Sequence, residues 1–114
     1  MRSIHTSLAA GRWAHLTIVE QLANVGSEID RAIRALEAGR VERHVHARAR
    51  ALELLDLTAS DPRWRGPRRR EILRARECFC GMLFRDPADP SDAEFLRKYF
   101  LQFAVAARRA AMVP

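Results

Sequence analysis

Thr17 to Gly39 reads TIVEQLANVGSEIDRAIRALEAG, and the spacing within it decides the fold class. Its apolar residues fall at Ile18, Leu22, Val25, Ile29, Ile33 and Leu36, in steps of four and three. That period lines them along one stripe of a helix, the seam of a bundle. Thr17 with Glu20 three residues on is a capping-box pattern, in which each side chain satisfies the other's backbone N–H. Gly39 closes the stretch as the residue just past the last turn, where a left-handed conformation suits glycine. The spacing predicts a helix over about 15–38 after a flexible N-terminus of about 1–12.

Three further amphipathic segments follow. Over about 41–59, Val41, Val45, Ala49, Leu52 and Leu55 make a stripe widened by Leu54, and Ser60-Asp61-Pro62 ends it because the residue before proline is pushed out of the helical region. Over about 67–85 a helix opens at Pro67, a residue suited to the first turn, and buries Ile72, Leu73, Phe79, Cys80, Leu83 and Phe84. Asp86 to Pro90 reads as a rigid loop, and Ser91 with Glu94 as a second capping box. The last helix, about 91–111, carries Phe95, Leu96, Tyr99, Phe100, Phe103, Ala107 and Ala110. No segment alternates with the period of two that marks a strand. Short joints make neighbouring helices antiparallel, so the expectation is one all-α domain over 1–114, an antiparallel up-down-up-down four-helix bundle. Gly26, Ala32 and Ala104 permit close approach between helices.

With 48% apolar and 30% charged residues the chain falls among folded globular proteins rather than disordered ones. No apolar run reaches the length of about eighteen residues that a membrane span needs, so no membrane partner is expected. A cationic start followed by an apolar run is missing, so export is not expected. Cys78 and Cys80 flank Phe79 and project in different directions on a helix, which disfavours a bridge between them and fits a reducing cytoplasm.

Charge gives the clearest functional signal. Arg63 to Arg76 (RWRGPRRREILRAR) holds seven arginines and one acid, Glu71, which equals the net +6 of the whole chain. A focused positive patch attracts a polyanion far more than a diffuse one. Arg63, Arg65, Arg68, Arg69 and Arg70 surround Trp64, a combination suited to phosphate contact and base stacking, each stacked base contributing about 1–3 kcal/mol. Arg43, His46 and Arg50 recur at steps of three and four, share a helix face, and extend the patch if the two helices are neighbours. The leading expectation is a non-enzymatic module that contacts RNA or DNA backbone without reading sequence. A solvated arginine face with Trp64 tucked over the bundle end is the plainer alternative.

Two other functions are compatible with the chain. Phe95, Tyr99 and Phe103 widen the last helix's apolar face and point to a protein-interaction module, either a homodimer or a small subunit. Arg40-x5-His46 is compatible with the Arg-x(4–6)-His signature of HEPN-type ribonucleases, also small helical bundles, and implies metal-independent cleavage by Arg40 and His46. Neither a cofactor nor a metal is expected, since Cys78-x-Cys80 lacks a second pair and His44-x-His46 points to two sides of a helix. No nucleophile, base and oxyanion site assemble. One structural pairing is expected: Arg76 interrupts the third stripe between Ile72 and Phe79, while Gln21, Asn24 and Glu28 edge the first. Arg76 should meet Glu28, or Glu20, in a pair that specifies register.

Four blocks carry a resemblance: Glu20 to Glu28 (EQLANVGSE), Arg50 to Thr58 (RALELLDLT), Arg74-Ala75-Arg76-Glu77, and Lys98 to Phe103 (KYFLQF). Together they resemble a group of short prokaryotic helical proteins with EQLAN-GSE, RALELLDLT and R-RE blocks, over about residues 13 to 108. The resemblance implies a shared fold and no particular activity. The chain departs from the group after Cys80, where Gly81-Met82-Leu83 stands in place of a turn rich in tyrosine and phenylalanine.

Overall fold

The Thr17 hydroxyl accepts the Glu20 N–H at 3.1 Å, and the Thr17 N–H donates to Glu20 Oε1 at 2.9 Å, so the capping box forms and a helix starts at Ile18. At the other end Gly39 takes a positive φ of 69°, its N–H reaching the Leu36 carbonyl and the Arg40 N–H the Ala35 carbonyl. Those two bonds satisfy carbonyls that the helix end would otherwise leave open. The sequence signals at both ends of this helix therefore operate as read.

The computed structural model describes residues 11–84 and 89–112, and every regular element among them is helical. Residues 11–13 close a first helix, α1. It is followed by α2 (Ile18–Glu37), α3 (Val41–Ala59), α4 (Pro67–Phe84) and α5 (Pro90–Met112). Five helices among the described residues thus stand where four were expected. The extra one arises because Gly11 and Arg12 are helical rather than flexible, and Trp13 beside them is only 8% exposed. Residues 1–10, and Asp86, Pro87 and Ala88 of the expected rigid loop, lie outside the described residues. The α5 cap differs from the expected Ser91–Glu94 box. Asp89 Oδ1 accepts the Ser91 N–H at 2.9 Å and the Ser91 hydroxyl at 2.8 Å, leaving Pro90 in the first turn, where its missing N–H costs nothing.

α2 packs against α3 and α5, and α4 against the same two helices. The seam residues Leu22, Val25, Ile29 and Ile33 meet Leu55, Ile72, Phe79 and Leu96, all at most 2% exposed. Leu36, at the end of the predicted stripe, is exposed. α3 is rolled relative to the predicted stripe: Val41 and Val45 face solvent, and His44, Ala47, Ala51, Leu54, Leu55 and Thr58 are buried instead. Alanines at the contact let the helices approach, and the two polar residues are tolerated because each is hydrogen-bonded. The His44 ring sits 2.9 Å from the Ala32 carbonyl, and the Thr58 hydroxyl donates to the Leu54 carbonyl at 2.8 Å.

α4 buries Ile72, Ala75, Phe79 and Met82, while Leu73 and Phe84 are exposed and both cysteines are half-buried. α5 buries Leu96, Phe100 and Phe103, leaving Phe95 and Ala110 exposed. Of the small residues expected at close approaches, Gly26 is decisive. A Cβ there would stand 2.6 Å from Phe100 Cβ, shorter than atoms tolerate, and Phe100 Cβ is too near its own backbone to move aside.

Gly26→Ala should therefore destabilise the fold by about 1–3 kcal/mol through overpacking, against about 1 kcal/mol of helix propensity gained. The net loss is measured by urea unfolding. A variant more stable than the wild type by the full propensity gain would mean that α2 and α5 are not in contact at this point.

Candidate nucleic-acid interface

The arginine-rich stretch begins in the joint between α3 and α4, and much of it is occupied with holding that end of the molecule together. The centre is Gln21, fully buried on α2. A buried amide must spend its donors and acceptor locally. Its Nε2 donates to the Trp13 carbonyl at 2.8 Å and to Asp61 Oδ2 at 3.1 Å, and its Oε1 accepts Trp64 Nε1–H at 2.7 Å. Trp13 Nε1–H donates to the Thr58 hydroxyl at 2.9 Å.

Arg63 completes this network. Its Nη2 donates to Asp61 Oδ2 at 2.7 Å and to the Leu16 carbonyl at 2.8 Å, and its guanidinium lies 4.5 Å from the centre of the Trp64 ring. The Arg63 side chain, through its hydrogen bonds, holds the Asp61 carboxyl down at about 2, despite the opposing effect of burial. Trp64 is half-buried, capped on one face by Arg63 and bonded through its indole N–H, so it is not an open platform for a nucleic-acid base.

The other arginines of the stretch divide into held and free. Arg68 pairs with Glu71 at 3.1 Å and lies over Phe103, and Glu71 also accepts the Tyr99 hydroxyl at 2.6 Å. Burial first, and this bond second, push the Tyr99 hydroxyl well above its ordinary range, so it stays a donor. Arg69 is half-buried and reaches the Asp61 carbonyl at 3.4 Å. The Arg65, Arg70 and Arg74 side chains are exposed and make no ion pair or hydrogen bond among the described residues.

The expected pairing of Arg76 with Glu28 or Glu20 does not form. Arg76 Nε donates to Asp56 at 2.8 Å, Glu28 pairs with Arg31 at 2.9 Å, and Glu20 is occupied in the Thr17 cap. The reason is the register of α4: its buried stripe runs through Ala75, which turns Arg76 towards α3 and not α2. Both partners are more than a third exposed, so the pair contributes only about 0–1 kcal/mol.

The second basic surface is better formed than the sequence implied, and in a different place. Arg43, His46 and Arg50 do not extend the loop patch across α4. That side of α3 is met through Asp56, and through Arg48, whose guanidinium lies 5.9 Å from the centre of the Phe84 ring. They line a groove of about 770 Å³ between α2 and α3, together with Arg40, Arg31 and Arg34. Ala35, Ala38 and Ala47 complete the lining and Glu28 is its single acid, so five arginines face one glutamate. Arg31 and Arg34 have carboxylate partners, Glu28 and Asp30. The Arg40, Arg43 and Arg50 guanidinium groups and the His46 ring form no hydrogen bond or ion pair among the described residues. Arg40 is also the N-cap of α3 and makes no side-chain cap bond.

Elsewhere the surface is less telling. A groove of about 950 Å³ between α2 and α5 is mixed in charge, with Arg97 spanning Asp30 at 3.1 Å and Glu37 at 2.9 Å. The aromatic face expected on α5 is mostly turned inward: Phe103 is buried, Tyr99 stands edge-on to both Phe100 and Phe103, and only Phe95 is exposed. Among the described residues no His, Cys, Asp and Glu cluster could hold a metal ion, and no helix is long and apolar enough to cross a membrane.

Protein-family models, curated proteins and solved structures give no match to this chain. Sequence reasoning missed Gln21, Asp61 and Trp13 as a structural centre, and Arg31 and Arg34 as part of a cationic groove.

The Asp61 network makes a pH prediction. A carboxyl whose pKa falls from 3.8 to about 2 on folding contributes stability above pH 4 that is lost as pH drops towards 2. At about 1.4 kcal/mol per unit the contribution is about 2 kcal/mol. Asp61→Asn should be less stable than wild type by about that amount at pH 6, and the difference should close near pH 2, followed by urea unfolding at each pH. A pH-independent difference would remove the Asp61–Arg63 bond as its cause.

Proposed function

We propose that this chain is a non-enzymatic cytoplasmic binding module, built as an up-down-up-down arrangement of its four long helices, that contacts nucleic-acid backbone. The observation that carries this reading is the α2–α3 groove, where five arginines line a small-residue floor and three of them have no partner among the described residues. Uncommitted guanidinium groups are suited to phosphate because their planar donors match its oxygens and are weakly hydrated. Arg40, Arg43, Arg50 and His46 are the principal contacts, and Arg65, Arg70 and Arg74 form a secondary surface. Arg63, Arg68, Arg69 and Trp64 support the fold more than the ligand. Contact is to backbone, since α2 to α5 pack on one another and none of them stands out to enter a duplex groove.

A second reading has one observation in its favour. Arg40 and His46 line the same groove, as a metal-independent ribonuclease would require of its arginine and histidine. The other histidine of the motif region, His44, is buried against the Ala32 carbonyl and contributes no second acid or base there. The groove supports binding more directly than cleavage.

The test is fluorescence anisotropy with labelled single-stranded RNA and duplex DNA at low and moderate salt. An Arg40/Arg43/Arg50→Gln variant should bind at least tenfold more weakly and with a shallower salt dependence, since each lost phosphate contact removes counterion release. An Arg65/Arg70/Arg74→Gln variant should lose less. Absence of wild-type binding at low salt would overturn the proposal. Shortened RNA at the end of the titration, abolished by His46→Ala, would favour the ribonuclease reading.

A further inference from the structure

The groove also bears on which form of nucleic acid it accepts, an inference that rests on the binding proposed above. Its cations come from both walls and the link between them, Arg31 and Arg34 on α2, Arg40 at the N-cap of α3, and Arg43 and Arg50 on α3. Arg40, Arg43 and Arg50 are open to a backbone seated there, while Arg31 and Arg34 also hold Glu28 and Asp30. A volume of about 770 Å³ lies within the range of small-ligand sites, which run from about 300 to 1,000 Å³. Neighbouring packed helices lie about 8–10 Å apart, less than the roughly 12 Å of a duplex's major groove alone, so the cleft admits one strand and not two. Here the charges line a cleft, and both flanking helices are held in the core by Ile29, Ile33, Ala47 and Ala51.

We propose that the α2–α3 groove holds a single strand of nucleic acid through about three consecutive phosphates, and does not hold a duplex. The number follows from the lining arginines that hold no carboxylate among the described residues: Arg40, Arg43 and Arg50 can each take one phosphate.

The bases are not gripped. Among the described residues no phenylalanine, tyrosine or tryptophan lines the groove, His46 is its one ring, and the lining between the charges is Ala35, Ala38 and Ala47. The two tryptophans lie towards the opposite end, since Trp13 and Trp64 both bond Gln21, about 15 Å along α2 from Arg31. Binding is thus independent of base identity and invisible to tryptophan emission. A nucleoside triphosphate also presents three linked phosphates, and length dependence separates it from a strand.

The experiment is competition against a labelled uridine octamer, using uridine triphosphate, unlabelled oligouridines of two to eight nucleotides, and a sixteen-base-pair duplex. Affinity should rise steeply up to about four nucleotides and then flatten. The triphosphate and the duplex should each compete at least tenfold more weakly than the tetramer. The salt slope of the octamer should be near −2, from about 0.7 per phosphate on a single strand, and tryptophan emission should stay constant through saturation. A duplex that competes as well as the tetramer overturns the single-strand assignment while leaving backbone binding in place. A triphosphate equal to the tetramer, with no length dependence, overturns it in favour of a nucleotide site. No binding of any probe, the labelled octamer included, overturns this inference together with the reading beneath it.

Discussion

One buried amide governs how this molecule closes at one end. Gln21 sits at zero exposure in the seam of α2, so its donors and acceptor must be met within the protein. They are met by the Trp13 carbonyl, the Asp61 carboxylate and the Trp64 indole, groups from two separate parts of the chain. Satisfying one side chain therefore fixes the α1–α2 joint and the α3–α4 joint against α2 together. A partly met network would be worse than an apolar core, which is why the set is complete down to the Thr58 hydroxyl that takes the Trp13 N–H. The Arg63 contact with the Leu16 carbonyl adds a charge-assisted bond between the same joints.

This constraint changes the meaning of the most conspicuous sequence feature. A run of seven arginines is the whole net charge of the chain, yet Arg63, Arg68, Arg69 and Arg76 are each engaged within the fold. The freer charge is in a region that the arithmetic of the chain conceals. Residues 31–50 hold six arginines, but acids elsewhere cancel them in any total. Folding separates what the sum had combined: α2 and α3 turn Arg31, Arg34, Arg40, Arg43 and Arg50 into one groove.

How much could be read beforehand follows from what periodicity detects. α2 was legible because its stripe is apolar and both its caps have strong residue signatures, and these govern in the structure. α3 was misread in its roll because its true stripe includes His44 and Thr58, which look like surface residues until their partners, the Ala32 and Leu54 carbonyls, are known. Gln21 was seen only as a polar edge for the same reason. The Arg76 partner was lost to register: one residue's shift of the α4 stripe sends a long side chain to another helix. The groove residues Arg43, His46 and Arg50 were found from their spacing. Arg31 and Arg34 were not, because spacing within one helix does not say which neighbouring helix its charged face meets.

The link between α2 and α3 has a kinetic meaning. Only Ala38, Gly39 and Arg40 join the two walls of the groove, and the glycine's positive φ and the bonds to Ala35 and Leu36 hold that link in one shape. Walls tied so closely at one end do not swing apart like jaws. An occupant of the groove, as proposed, would meet no lid among the described residues, so its arrival and departure would be set by electrostatic attraction and its screening. Such a site would be one of rapid exchange, with a residence time governed by the ions around it.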